Sequence, residues 1–164
     1  MASFYVHPDA VHGDDLALSA EEGHHLRVRR HKPGDVIDVI DGEGSFFEAQ
    51  IDSMEREGAL CTILSRSPGK GECAIHLSLA VAMPKGRGRF DSLIEKATEV
   101  GVGAIVPTTT ERSIVTPGSG AGKSQRWRRV ALAATKQCGR SRAPHLGEVV
   151  SFTEALELFA DECH

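Results

Sequence analysis

No stretch of this sequence approaches the ~20 apolar residues that a helix needs to cross a bilayer. The longest candidate is IHLSLAVAM, beginning at Ile75. Nothing ahead of Phe4 resembles a charged-then-apolar signal peptide. The four cysteines, Cys61, Cys73, Cys138 and Cys163, form no Cys-x-x-Cys pair. Together these absences predict a soluble cytoplasmic protein with reduced thiols and no membrane partner.

Two glycines are also missing where nucleotide-binding loops would need them. TPGSGAGKS, residues 116–124, ends like a phosphate-cradling P-loop, yet Pro117 stands where the first glycine belongs. Proline offers no N–H and has a fixed φ, so a Gly/Ser loop ahead of a helix is the expected structure. In PKGRGRFD, residues 84–91, Asp91 stands where a dinucleotide-binding turn would require its last glycine.

What is present is a segregation of charge. The formal charge is −4, but residues 81–147 carry 12 bases against 4 acids, residues 1–80 carry 7 bases against 14 acids, and residues 148–164 carry 5 acids and no base. Local potential rather than net charge attracts a polyanion, so the basic middle segment suggests a phosphate-binding surface. Solvated helix faces are the ordinary alternative.

Residues 4–65 read as a small β-rich unit with one helix. Ser19 and Glu22 have capping-box spacing ahead of HHLRVRR. VIDVI and SFFEAQID flank Asp41-Gly42-Glu43-Gly44 as a hairpin, and ALCTILS follows a second polar turn, which together predict a meander or small barrel. RSPGKGEC, residues 66–73, reads as the domain boundary. From residue 74 the pattern alternates strand and helix. AIHLSLAVAM reads as a strand buried on both faces, and HLGEVVSF as a later strand. Helical stripes run Phe90, Leu93, Ile94, Ala97, Val100 and Trp127, Val130, Ala131, Ala134, Cys138, each stopped by a glycine, Gly101 or Gly139. TEALELFADECH begins a further helix. This alternation predicts a parallel α/β sheet.

Candidate site residues follow from that placement. Lys85, Arg87 and Arg89 lie on a Gly-rich strand-to-helix loop suited to phosphate contact, with a solvated loop as the alternative. In HHLRVRR, Arg27, Arg29 and Arg30 are candidates for RNA phosphates, with salt bridges to Glu21 and Glu22 as the alternative. Adjacent residues on a helix diverge, so His24 and His25 would not face one metal ion together, and no metal is expected. Glu111 and Arg112, in TTTERS, follow the carboxyl end of a strand, where open α/β sheets collect ligands. Arg140 and Arg142 lie just past a helix end, where a dipole contact would also account for them. Glu95, Lys96 and Glu99 read as a solvated face.

The stretches FYV (4–6), HHLRVRRHKPGD (24–35), IEKATEVGVGAIVP (94–107), TERS (110–113), RW (126–127) and KQCGRSRAP (136–144) together resemble the RsmE family, bacterial methyltransferases that modify N3 of a uridine in 16S ribosomal RNA. The resemblance implies a PUA-like RNA-binding β-barrel over residues 1–70, then the front part of a SPOUT α/β domain with a trefoil knot over residues 74–164. It also implies S-adenosylmethionine as methyl donor, 16S ribosomal RNA or the small ribosomal subunit as partner, and a homodimer. By position, Arg112 and Arg140 would hold a phosphate or steady the developing uridine anion, and Glu111 would accept a proton. Arg27, Arg30, Lys85, Arg87, Arg89 and Arg142 would position RNA through its backbone. Family members continue past the position of His164 into the segments that hold the cofactor. The expectation is therefore a member cut short, with no cofactor-binding residues in this chain. A non-catalytic RNA-binding or ribosome-assembly module is the alternative.

Overall fold

The computed structural model describes residues 2–84, 87–111 and 121–162, except for the side chains of residues 87, 121–123 and 161–162. Two compact units are present. The first comprises Met1–Glu72 with Thr135–Arg142, and the second Cys73–Ala134 with Ala143–His164. The first unit thus recruits residues 135–142 from within the α/β segment, which no local sequence signal indicates.

Six strands build the first unit: β1 (Phe4–Tyr5), β2 (Val11–His12), β3 (Asp15–Leu18), β4 (Val36–Ile40), β5 (Ser45–Glu55) and β6 (Gly58–Pro68), with helix α1 (Ala20–Val28) between β3 and β4. They form one sheet in the order β1-β4-β5-β6-β3-β2, antiparallel except for the β1–β4 pair. In a flat sheet of six strands spaced ~4.8 Å apart, the edges would lie roughly 24 Å from each other. The five residues between β1 and β2 reach at most ~20 Å even when extended, and three of them, Pro8–Ala10, are wound into a 3₁₀ turn. The sheet must therefore curl, and register shifts in β5 at Glu48/Ala49 and Ile51/Ser53 add the local twist that allows it. Alternation places Ala59, Cys61 and Ile63 of β6 in the core, with Leu60 and Leu64 outside. Gly58, at φ +149° at the start of β6, lies so close to the end of β3 that a Cβ there would lie 1.9 Å from the Leu18 carbonyl oxygen.

Helix α1 starts as its sequence predicts, with the Ser19 hydroxyl accepting from the Glu22 N–H at 3.4 Å. The reciprocal half of the capping box is missing because the Glu22 side chain turns inward instead. At the other end the Arg30 N–H donates to the Arg27 carbonyl and the His31 N–H to the Leu26 carbonyl, both at 3.0 Å. This is a Schellman stop with arginine at the left-handed position, φ 65°.

The second unit contains β7 (Ser78–Ala82), α2 (Arg87–Glu99), β8 (Ala104–Thr109), α3 (Ala121–Cys138), β9 (His145–Leu146), β10 (Val150–Ser151) and α4 (Phe152–Glu162). The last turn of α3 groups with the first unit. Every strand pairing is parallel, and β8 is central, between β7 and the two short strands β9 and β10. The segment read as one strand, HLGEVVSF, is split. β9 pairs with Ala104 and Ile105, β10 with Thr108 and Thr109, and residues 147–149 break the ladder between them. β8 is buried almost throughout, whereas β7 is only half-buried. The two-sided burial expected of AIHLSLAVAM is therefore corrected: within the described sheet β7 is an edge. Phe90, Ile94 and Ala97 of α2 face Trp127 and Ala131 of α3 in the core, with the Phe90 and Trp127 rings 4.7 Å apart. The predicted stripes run one residue too far. Val100 lies past the end of α2 and is 74% exposed, and Cys138 is exposed on the last turn of α3. Gly101 and Gly139 take the left-handed φ of helix stops.

Candidate nucleic-acid interface

Arg27, in the last turn of α1, and Arg29 and Arg30, just past its end, are exposed. Arg27 donates from Nη1 to the Glu55 carbonyl at 3.0 Å. Arg29 donates to the Ala2 carbonyl and lies over the Phe4 ring at 5.4 Å. Arg30 is exposed at its left-handed position. His25 faces the Glu22 carboxylate, with Nδ1 3.6 Å from Oε2, and among the described residues no group of three metal-ligating side chains gathers.

A second cluster centres on Glu72. Its Oε2 accepts from Arg140 Nη2 at 2.7 Å and Nε at 3.2 Å, while Oε1 accepts the backbone N–H groups of Ser141 at 3.1 Å and Arg142 at 2.9 Å. Arg140 is buried in this pair. Arg142 is exposed, and its Nε donates to the Glu43 carbonyl at 3.1 Å. Nearby, Lys70 sits over the Phe46 ring and 3.7 Å from Asp38. Asp41 is occupied by its own turn, with Oδ1 accepting from the N–H groups of Glu43, Gly44 and Ser45. Neither Glu72 nor Lys70 was marked by the sequence, where RSPGKGEC reads as a linker.

The basic middle segment is partly neutralised. Lys96 pairs with Glu95 and Glu99, Arg126 with Asp91, Lys136 with Glu22, and Arg140 with Glu72. Among the described residues, Arg89, Arg128, Arg129 and Arg142 are exposed and have no carboxylate partner. Lys85 and Arg112 lie outside the described residues, as does the side chain of Arg87.

At the carboxyl ends of β8 and β10, Thr109, Thr110, Glu111, Ser151, Phe152 and Thr153 line an open cleft of about 590 Å³. Glu111 is exposed there. One wall is fixed by a complete capping box at the start of α4. The Glu154 N–H donates to Ser151 Oγ at 3.2 Å, and the Ser151 N–H donates to Glu154 Oε2 at 2.7 Å. Donation from Ser151, first by its backbone N–H and then by its hydroxyl, holds the Glu154 carboxyl below its ordinary range.

Residues 71–164 match the family described as an RNA methyltransferase domain, and residues 18–64 match the RNA methyltransferase PUA domain. Ribosomal RNA small subunit methyltransferase E from Synechocystis sp. is 31% identical over 94% of this chain, and that from Bacillus subtilis 28% identical over 89%. The chain spans 50% and 58% of those relatives' own lengths. A crystal structure of the enzyme of the same name from Neisseria gonorrhoeae, bound to S-adenosylmethionine, superposes with a TM-score of 0.81 at 28% identity, over 95% of this chain and 64% of that one.

Proposed function

This chain belongs to the RsmE family of RNA methyltransferases, its first unit PUA-like and its second of the SPOUT type, and from that membership we propose that it serves S-adenosylmethionine-dependent methylation of N3 of a uridine in 16S ribosomal RNA. The proposal extends to a cytoplasmic homodimer acting on the small ribosomal subunit or its RNA. No helix among the described residues is long and apolar enough to cross a membrane. The observation that carries the reading is the joint presence of the two units in a single chain, with exposed arginines on the first.

S-adenosylmethionine supplies an electrophilic methyl group when bound. The described residues do not enclose a molecule of that size, because the strand-end cleft is open and Phe152, its one ring, is 51% exposed. The roles proposed for this chain therefore concern the RNA. Uridine N3 carries a proton and is normally paired, so the base must be exposed and held before it can react. Arg27, Arg30, Arg89 and Arg142 hold the RNA backbone without reading sequence. Lys85, Arg87 and Arg112 join them by sequence position, and Arg112 also steadies the uridine anion. Glu111 is the carboxylate among the described residues of the cleft, the place from which a proton acceptor would act. Arg140, buried against Glu72, acts on its own loop in this reading.

Titration with RNA over a range of salt concentrations tests the proposal. Affinity should fall steeply with salt, by a log–log slope of about −0.7 per phosphate contacted in a single strand, and a flat response would overturn it. The second reading is a non-catalytic RNA-binding or ribosome-assembly module. Calorimetric titration with S-adenosylmethionine separates the two. Saturable binding would restore a cofactor site to this chain, while its absence alongside salt-dependent RNA binding favours the module.

A further inference from the structure

The Glu72 carboxylate is surrounded by donors from a single short segment. Four N–H groups converge on its two oxygens, two from the Arg140 guanidinium and two from the backbone of Ser141 and Arg142. Hydrogen bonds to an ionised acceptor are roughly twice as strong as neutral ones, so this is the firmest anchor of residues 140–142. Further ties hold the same segment: the Gly44 N–H donates to the Ser141 carbonyl, and the Ser141 N–H also donates to the Lys70 carbonyl. Arg142 emerges from this anchored backbone across Gly44. A Cβ at Gly44 would lie 2.8 Å from Arg142 Nη2, so the guanidinium occupies space that any larger residue would fill. Its Nε is fixed on the Glu43 carbonyl.

Charge is arranged as well as shape. Arg140, 4% exposed, offsets Glu72, so the carboxylate holds the Arg142 backbone without contributing an unpaired negative charge beside it. A planar fork fixed at Nε is suited to a phosphate oxygen pair, because less freedom remains to be lost on binding. We infer that Glu72 is a positioning residue for RNA binding: it presents Arg142 to the RNA backbone and is itself kept away from the RNA by Arg140. This rests on the proposal above that Arg142 contacts RNA.

The sign of one substitution discriminates. Removing an acidic charge from an RNA-binding protein should, by simple electrostatics, tighten binding and steepen its salt dependence. If Glu72 acts by position, Glu72→Gln must do the opposite. The experiment is fluorescence titration of a labelled, mixed-sequence single-stranded RNA at several salt concentrations, with circular dichroism to confirm folding. Arg142→Ala should weaken binding about threefold and reduce the log–log salt slope by about 0.7. Glu72→Gln should match it, and in the Arg142→Ala background it should add nothing. Glu72→Asp keeps the charge but is too short to reach all four donors, and it should also weaken binding. If Arg142→Ala has no effect, the reading of Arg142 as an RNA contact fails. If Arg142→Ala weakens binding while both Glu72 variants leave it unchanged or tighter, or Glu72→Gln is additive with Arg142→Ala, the positioning role is overturned.

Discussion

Lys136, on the last turn of α3, reaches the Glu22 carboxylate in the first turn of α1, and the two side chains are only 18% and 6% exposed. The other carboxylate oxygen, Oε2, accepts no hydrogen bond and faces His25 instead. Removing one partner of a buried pair leaves the other charged and unsolvated, whereas replacing both with apolar groups is often nearly neutral. Lys136→Met should therefore destabilise the first unit by about 3 kcal/mol, and Lys136→Met with Glu22→Leu by clearly less. Urea denaturation of the two variants checks this, and equal losses would count against a desolvated pair.

Arg30 occupies a conformation that favours glycine. A left-handed residue with a Cβ costs roughly 1–2 kcal/mol, so Arg30→Gly should raise stability by about 1 kcal/mol. The same change should weaken RNA binding if the side chain contacts phosphate. Denaturation and RNA titration on one variant read both effects, and a gain in stability without loss of affinity would leave the arginine unexplained.

Trp127 is nearly buried against Phe90 in the core of the second unit. Trp127→Ala should cost about 3–5 kcal/mol through lost burial and the cavity left behind. Thermal unfolding followed by circular dichroism measures it, and a loss under 1 kcal/mol would mean the core is repacked.

The cysteines should differ in reactivity. Burial, with a smaller contribution from Asp52, pushes the Cys61 thiol up to about 12, while Cys73 and Cys138 are exposed. Iodoacetamide at neutral pH should label Cys73 and Cys138 and spare Cys61 until the protein unfolds, as mass spectrometry of the labelled peptides would show. The linkage follows the same shift. The unfolded thiol ionises near pH 9 and the folded one near 12, so stability is unaffected by Cys61 below about 9 and falls as the pH rises from there. Cys61→Ala should reduce that alkaline loss.

Features written locally in the chain were legible before the structure. Ser19 caps its helix, Gly101 and Gly139 end theirs, and Asp41–Gly44 turns a hairpin, because each depends on residues within a few positions. What escaped depends on distance. Glu72 looks like part of a polar linker until Arg140, 68 residues later, meets it. The split between β9 and β10 depends on their register against β8, which periodicity in the segment itself does not encode. A sequence places Arg140 beside a helix end without saying that Glu72 is packed against it. The exposed arginines Arg27, Arg30, Arg89 and Arg142 were foreseeable as candidates. Which of the basic residues are paired was not.

The inclusion of residues 135–142 in the first unit has a consequence for synthesis. Translation delivers the curled sheet long before it delivers the chain that completes it, and Glu22 and Glu72 must wait, without their cations, until most of the second unit has been made. An early-emerging sheet with two unmatched acids is at that stage less stable than in the finished molecule. Its final consolidation is therefore a late event in the life of the nascent polypeptide.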